Sequence, residues 1–308
     1  MKTLNIAVVG YGNIGRFAIE AVREAPDMKL AGLVRRASSI TGAATTTDAR
    51  PEPAGVQITT DAASLGKVDA AILCGPSRAI PEIAPAYLQR GICTVDAFDI
   101  HGQPLWELRE SLGAIAKKTG VAAVVSAGWD PGVDSMIRAL MLAMAPDGNT
   151  HTNFGPGMSM GNTTCAKSKK GVRDALAMTI PLGAGTHRRV VYVELKKGAK
   201  FTTVEKAIKT DSYFAKDDTR VLEVANVEAL KDVGHGVHIV RKGASSRAQN
   251  QFLEFNMKIN NPALTAQIMV ACARAAVTRL KPGAYTMPEI APMDLLPGDR
   301  ETLVKTLV

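Results

Sequence analysis

The chain is poor in aromatic residues, carries no long block of like charge, and has no apolar run of membrane-spanning length. Each absence excludes a class of protein. Its four cysteines, Cys74, Cys93, Cys165 and Cys272, include no CxxC pair, so zinc-type spacing is missing, and a chain of 308 residues needs no disulfide framework to hold a core. Reduced thiols in a cytoplasmic protein are expected. His235 and His238 form an isolated HxxH with no cysteine nearby and no recognised zinc-ligand spacing, so no metal site is expected. The longest apolar stretch, 263–277, is interrupted by Gln267 and Arg274 and is too short to span a bilayer. The opening Met1-Lys2, followed by Leu4 to Gly10, is too brief for the apolar core of a signal peptide. No membrane partner is expected.

What is present fits a globular protein: 46% hydrophobic and 21% charged residues exclude extended disorder. The balance of 37 basic against 29 acidic residues gives a formal charge of +8, which suits anionic ligands as well as nucleic acid. No recognition-helix motif or aromatic-basic platform supports the second choice, so no nucleic-acid partner is expected. The densest basic stretch, Lys167-Ser168-Lys169-Lys170, reads as a solvated loop.

Residues 4–9 (LNIAVV) read as a short strand buried on both faces, followed by a glycine-rich turn, a helix over 16–25 and a second strand over 28–34 that ends at Arg35-Arg36. This is one βαβ unit. Residues 37–60, rich in Ala, Thr, Ser and Pro, read as a long surface connection. Strands are then expected at 70–75, 92–98 and 121–127, with a helix at 81–90 and another carrying Trp106, Leu108 and Leu112. The alternation predicts an α/β fold, a Rossmann-type doubly wound parallel sheet. After Gly128-Trp129-Asp130-Pro131-Gly132 the pattern changes to a helix at 134–144, a Gly/Met/Asn-rich stretch at 151–162 in which 154–161 reads as a shaped loop, strands at 175–181, 188–195, 219–226, 236–242 and 251–260, and a helix at 202–209. That predicts a second, α+β domain over 131–279, with the first domain formed by 1–130 and about 280–308. The helix at 263–279 is expected to lead the chain back. There is no internal repeat.

Gly10-Tyr11-Gly12-Asn13-Ile14-Gly15 matches GxGxxG directly after a strand and at the start of a helix, the context that makes it a dinucleotide fingerprint. Gly10 permits the tight turn, Gly12 lets the backbone approach a pyrophosphate, and Gly15 lets helix pack on strand. An NAD-specific site places an acid at the end of the second strand, whereas this chain places Arg35 and Arg36 there. A guanidinium fork matches a 2′-phosphate, so NADP is the expected cofactor. Asp99 follows one later strand, and Trp129-Asp130 follows the next. Ligands of open α/β sheets bind beyond the carboxyl ends of strands, so both aspartates are expected near the nicotinamide; the alternative for each is a helix N-cap. In the second domain, His187-Arg188-Arg189, Gly234-His235-Gly236 and Asn260-Asn261-Pro262 bring polar groups to element ends, and spacing does not choose among them.

The segments VVGYGNIGR, TVDAFDIHG, SAGWDPGVDS, TNFGPGMSMG, GVRDALAMTIP, HRRVVYVEL, VGHGVH and NNPALTAQ occur in this order. Together they resemble the meso-diaminopimelate dehydrogenase family over essentially the whole chain, and its broader-specificity branch in having Phe154 where the other branch tends to have Trp. The resemblance implies reversible NADP-dependent oxidative deamination at the D-centre of meso-2,6-diaminopimelate, giving L-2-amino-6-oxopimelate and ammonia, with possible use of D-amino acids or 2-keto acids. It implies a cofactor site formed by Tyr11 to Ile14, Arg35, Arg36, Cys74, Gly75, Pro76, Ser77, Ala97, Phe98, Asp99, Ala127, Gly128, Trp129, Asp130 and Pro131. Asp99, Trp129, Asp130, Phe154, Met160 and Gly161 would surround the reacting centre, with Asp99 and Asp130 catalytic. Thr179, Arg189, His235 and Asn261 would hold the distal L-end. A homodimer formed through the second domain is also implied. Two rival functions remain: a related NADP-linked oxidoreductase acting on another amino or keto acid, and a non-catalytic NADP(H)-binding regulator.

Overall fold

The computed structural model describes residues 3–36, 53–231 and 234–308. The chain divides into two compact units, Met1–Met136 with Pro262–Val308, and Ile137–Asn261. In chain order the first unit contains β1 (Leu4–Val9), α1 (Asn13–Glu24), β2 (Met28–Val34), β3 (Ile58–Thr59), β4 (Ala70–Leu73), α2 (Ile80–Leu88), β5 (Cys93–Asp96), α3 (Gln103–Thr119), β6 (Ala122–Val124) and the start of α4 (Val133–Met144). The second unit follows with β7 (Asp147–Phe154), β8 (Gly157–Met158), α5 (Met160–Lys167), β9 (Val172–Gly183), β10 (Thr186–Leu195), α6 (Phe201–Lys209), β11 (Asp218–Glu223), β12 (Gly234–Ser245) and β13 (Ala248–Asn260). The chain then supplies α7 (Asn261–Thr278), β14 (Gly283–Tyr285) and α8 (Arg300–Leu307).

The first unit is a Rossmann-type sheet of order β14-β6-β5-β4-β1-β2-β3, with every neighbouring pair parallel. Alternation along β1 feeds two cores: Ile6 and Val8 face one with Ile19 and Val22 of α1, and Ala7 faces the other with Leu73, Leu88 and Leu112. Met269, Val270 and Ala273 of α7 are buried in the first of these cores. Arg274 is bonded there to Asp27 at 2.6 and 2.7 Å and to the Leu295 carbonyl at 2.9 Å. The boundaries expected near 130 and 280 therefore move to 136 and 262, because α7 completes the cover of the parallel sheet. The sequence places that helix next to β13, and helical periodicity does not state which sheet it will cover. The expected surface connection at 37–60 lies outside the described residues up to 52; beyond it, β3 pairs with β2.

The second unit is α+β. It has a four-stranded sheet of order β11-β10-β9-β8 and a three-stranded sheet of order β13-β12-β7. Val172, Ala175, Ala177, Val191 and Val193 of the first sheet pack with Val204, Ile208 and Phe214. The stretch 154–161, expected as a shaped loop, is the end of β7, a turn, the short strand β8 and the start of α5. Its glycines give it a weak strand signal because they serve close backbone approach. A Cβ at Gly155 would sit 2.2 Å from the Thr179 carbonyl oxygen, and one at Gly157 2.2 Å from that of Gly234. Among the described residues no helix is long and apolar enough to cross a membrane.

Candidate active site

The fingerprint has the backbone its glycines require. Gly10 has φ +97° and donates its N–H to the Val34 carbonyl at 2.9 Å, joining the ends of β1 and β2. A Cβ at Gly15 would meet the Gly10 oxygen at 2.1 Å, so α1 reaches β1 only with glycine there. Gly12 caps α1 and makes no side-chain cap bond; a Cβ on it would meet nothing within 4 Å, and the first turn holds no acid. That is an open anion cradle at a helix N-terminus, and it fits a dinucleotide pyrophosphate. Past β2, the Arg35 guanidinium lies 5.8 Å from the Tyr11 ring centroid, and the exposed Arg36 follows it. The Cys74 thiol beyond β4 is pushed up to about 12 by burial, which removes it as a nucleophile beside this cradle.

The other candidate residues of this unit follow the carboxyl ends of β4, β5 and β6, on the same sheet edge as the fingerprint. Asp99 donates its backbone N–H to the Ser77 hydroxyl at 3.1 Å, tying the loop after β5 to the loop after β4. Trp129 is buried, and Asp130 precedes a cis bond to Pro131. The Gly128 N–H donates to the Pro131 carbonyl at 3.1 Å and the Val133 N–H to the Gly128 carbonyl at 3.0 Å, closing a tight loop. A Cβ at Gly132 would lie 1.9 Å from the Gly128 oxygen, so this turn requires glycine. Neither aspartate sits where a helix cap would. Gly102 caps α3, three residues past Asp99, and α4 begins at Val133, three residues past Asp130.

In the second unit, Thr179 and Arg189 are directly paired across β9 and β10. Arg189 donates Nη1 to the buried Thr179 hydroxyl and Nε to Asp217 at 2.6 Å, so two of its three nitrogens are committed within the protein. Gly155 and Gly157 seat the segment after Phe154 against Thr179 and against Gly234-His235. His235 is buried, with Nδ1 2.8 Å from both the N and O of Gly236. Asn261 is buried and donates Nδ2 to the Met158 carbonyl at 3.2 Å. Met160 and Gly161 open α5 immediately after this segment. Phe154, Met160, Gly161, Thr179, Arg189, His235 and Asn261, dispersed over more than a hundred positions of sequence, thus belong to one connected neighbourhood.

Two supporting residues, Asp217 and Asp96, escaped sequence reasoning, and His187 was noted there without a role. Asp217 orients Arg189, and nothing in its local pattern distinguishes it from a surface acid. His187 accepts the Phe154 N–H at Nε2 over 2.8 Å; it was visible only as a polar residue at a strand start. Asp96 is fully buried at the end of β5, and a carboxylate closing an otherwise apolar strand was the available signal.

Comparison with known proteins agrees with this architecture. Residues 4–126 match the family described as "Oxidoreductase family, NAD-binding Rossmann fold", and residues 128–185 match "Diaminopimelic acid dehydrogenase C-terminal domain". The chain is 52% identical over 308 residues to meso-diaminopimelate D-dehydrogenase of Bacteroides fragilis, covering all of both chains. It is 33% identical over 336 residues to the enzyme of that name from Ureibacillus thermosphaericus, again covering all of both. Among solved structures, the Corynebacterium glutamicum DAP dehydrogenase in complex with DAP superposes with a TM-score of 0.85 at 30% identity over the full length of both chains. An engineered D-amino acid dehydrogenase bound to NADP+ superposes with a TM-score of 0.86 at 28% identity, also over both full lengths. The chain belongs to the meso-diaminopimelate D-dehydrogenase family.

Proposed function

We propose that the protein is a cytoplasmic, NADP-dependent dehydrogenase that oxidatively deaminates the D-centre of meso-2,6-diaminopimelate, and runs in reverse as a reductive aminase. The observation that carries the reading is the shared sheet edge: Asp99 and Asp130 follow adjacent parallel strands beside the open cradle at Gly12 and the Arg35-Arg36 pair. The Arg pair favours NADP, since an acid there would repel a 2′-phosphate. Bound in the cradle, NADP+ supplies the hydride acceptor.

The residues around it have separate tasks. Asp99 and Asp130 hold the reacting ammonium and take the proton it must lose before the carbon can give up hydride. A carboxylate then delivers and activates the water that hydrolyses the imine, releasing ammonia and the 6-oxo acid. Trp129, Phe154, Met160 and Gly161 bound the reacting end. Thr179, Arg189, His235 and Asn261 take the distal amino-acid end, where the Nη edge of Arg189 meets the carboxylate because its Nε is bonded to Asp217. Phe154 also supports use of shorter D-amino acids. A homodimer formed by the second unit is part of the proposal, supported by exposed Leu140, Leu142 and Phe252; light scattering of the purified protein tests it.

The decisive experiment is a substrate panel of meso-, LL- and DD-diaminopimelate and D-amino acids with each nicotinamide cofactor, followed by the absorbance of the reduced form. Turnover of the meso isomer with NADP and none of the LL isomer is expected. Cofactor binding without turnover of any substrate would overturn the reading in favour of a regulator.

A further inference from the structure

Asp96 has no part in the chemistry above, yet it is the buried acid that touches both candidate catalytic segments. Its Oδ1 accepts the N–H of Phe98 at 2.9 Å and that of Ser126 at 3.2 Å. Its own carbonyl accepts the N–H of Ala127 at 2.7 Å, and the Ser126 hydroxyl donates to the Phe98 carbonyl at 2.7 Å. Ser126 adopts φ +58°, uncommon for a residue with a side chain, and the bonds to Asp96 and Phe98 hold it there. Three of these four hydrogen bonds join the segment that ends one residue before Asp99 to Ser126 and Ala127, four and three residues before Asp130.

The site is closed to water, and among the described residues Asp96 forms no salt bridge. Asp96 is 0% exposed, and among the described residues its Oδ2 and the hydroxyl of Thr94, two positions away on the same face of β5, are buried without a hydrogen-bond partner. Cys93 and Val95 point to the opposite core. The neighbouring strands β4 (Ala-Ala-Ile-Leu) and β6 (Ala-Ala-Val) have no ionisable side chain; the segments after β4, β5 and β6 carry Cys74 and Arg78, Asp99 and His101, and Asp130 and Asp134, and α2, packed on β5, carries Glu82 and Tyr87. An unpaired buried carboxylate is costly, and its expense is a reason to look for a role beyond folding.

We propose that Asp96 is a positioning residue whose carboxylate locks the Phe98–Asp99 and Ser126–Asp130 segments together, so that both aspartates meet the reacting amine in a fixed geometry. The inference rests on the proposed function for its consequence in turnover, though not for the lock itself. The carboxylate makes stronger bonds to the two N–H groups than its protonated form does. Burial pushes its pKa up to about 6, so the lock is tight above that pH and loosens below it.

Asp96→Asn keeps an Oδ1 acceptor and stands in for the protonated acid; Asp96→Ala removes the acceptor. Small misplacements of catalytic groups are amplified in rate, so Asp96→Ala is expected to lower kcat roughly ten- to hundredfold, with NADP affinity much less affected. Asp96→Asn is expected to recover much of that loss. The ratio of its kcat to wild type should be well below one above neutrality and rise towards one as pH falls through about 6, since the wild type then becomes the neutral form. Taking the ratio cancels the ionisation of substrate. A ratio that stays flat with pH, or an Ala variant with wild-type kcat, overturns the inference. Should Asp96→Ala fail to fold, the Asn ratio still decides it. Hydrogen exchange at the Phe98 and Ser126 amides decides it without turnover: faster exchange confined to these amides in the Asn variant supports the lock, and unchanged protection overturns it. If the wild type does not turn over meso-diaminopimelate, the functional reading has failed and the exchange measurement still judges the lock.

Discussion

His187 accepts the backbone N–H of Phe154 at its Nε2 over 2.8 Å, and the two rings lie 5.4 Å apart at a tilt of 38°. An accepting ring nitrogen carries no proton, so this contact requires the neutral imidazole with its hydrogen on Nδ1. Burial lowers the His187 pKa, and the Arg189 charge lowers it further. The residue expected to shape the reacting end is therefore set by a histidine kept neutral by its surroundings.

Replacing His187 by Phe should preserve the ring packing and strand the Phe154 N–H, at a cost of about 1–3 kcal/mol in stability. The pH dependence has a definite sign. Because the folded-state pKa lies below the unfolded value near 6.5, the unfolded chain binds more protons in that window, and stability falls as pH drops from about 6.5 towards the folded pKa. Urea unfolding across this range should show that slope in the wild type and lose it in the variant. An unchanged slope would mean that His187 does not titrate in this way.

Much of the architecture was legible because it rests on short-range pattern. The apolar run of β1, the three glycines after it and the end of β2 fall within one short βαβ unit, where strand, turn and helix signals are local. The candidate residues after β4, β5 and β6 were legible because a parallel sheet puts all its strand ends on one edge. What did not follow from pattern was long-range. The cover supplied by α7 depends on tertiary packing, and the strands hidden in 151–162 depend on glycines meeting the backbone of Thr179 and Gly234. The Arg189–Asp217 and His187–Phe154 contacts link residues 28 and 33 positions apart, with no motif connecting them.

Two glycines in one motif should fail differently. Gly15→Ala places a Cβ 2.1 Å from the Gly10 oxygen, an overlap with backbone that α1 can relieve only by moving off β1. Gly12→Ala puts its methyl group in open space. Circular dichroism melts should therefore find Gly15→Ala clearly destabilised without cofactor and Gly12→Ala close to wild type. NADP titration should find Gly12→Ala weakened, since its methyl group occupies the cradle. Equal melting of both variants would contradict this division of roles.

The proposed preference for NADP rests on Arg35 and Arg36. Changing both to Ala should raise the KM for NADP roughly ten- to hundredfold, the loss of charge-assisted bonds, and leave that for NAD nearly unchanged. Equal losses with the two cofactors would make the pair structural, which the 5.8 Å approach of Arg35 to the Tyr11 ring also permits.

Asp27 and Arg274 form a buried ion pair, with side chains only 9% and 8% exposed. The hydrogen bonds from Arg274 hold the Asp27 carboxyl below its usual pKa. The stability this contributes is present above the unfolded carboxylate pKa and is lost as pH falls through the lower folded value. Asp27→Asn leaves the guanidinium buried without its counter-charge and should cost about 3–5 kcal/mol. Denaturant titrations at neutral and acidic pH should find the gap between variant and wild type closing as the medium becomes acid. A constant gap would assign the loss to packing.

The two ends of meso-diaminopimelate are both amino acids and differ only in handedness, so discrimination must come from where polar partners stand. Arg189 is fixed on one side by Thr179 and on another by Asp217 before any substrate arrives, and that preorganisation is what a distal anchor needs. In the proposed function, anchoring of the L-end would leave the D-end to present its Cα–H to Asp99 and Asp130, and the distal contacts would set the geometry of bond breaking. Arg189→Ala should lower kcat/KM for meso-diaminopimelate by about 2–4 kcal/mol, the scale of truncating one partner of a buried charge pair. Arg189→Lys should recover little, because an ammonium cannot bond Thr179, Asp217 and a carboxylate with the same planar fork. D-alanine has no distal end, so whatever rate the wild type shows on it should survive the substitution. If Arg189→Ala weakens both substrates by one factor, the arginine supports the β9–β10 pair instead, and the two-ended account is wrong.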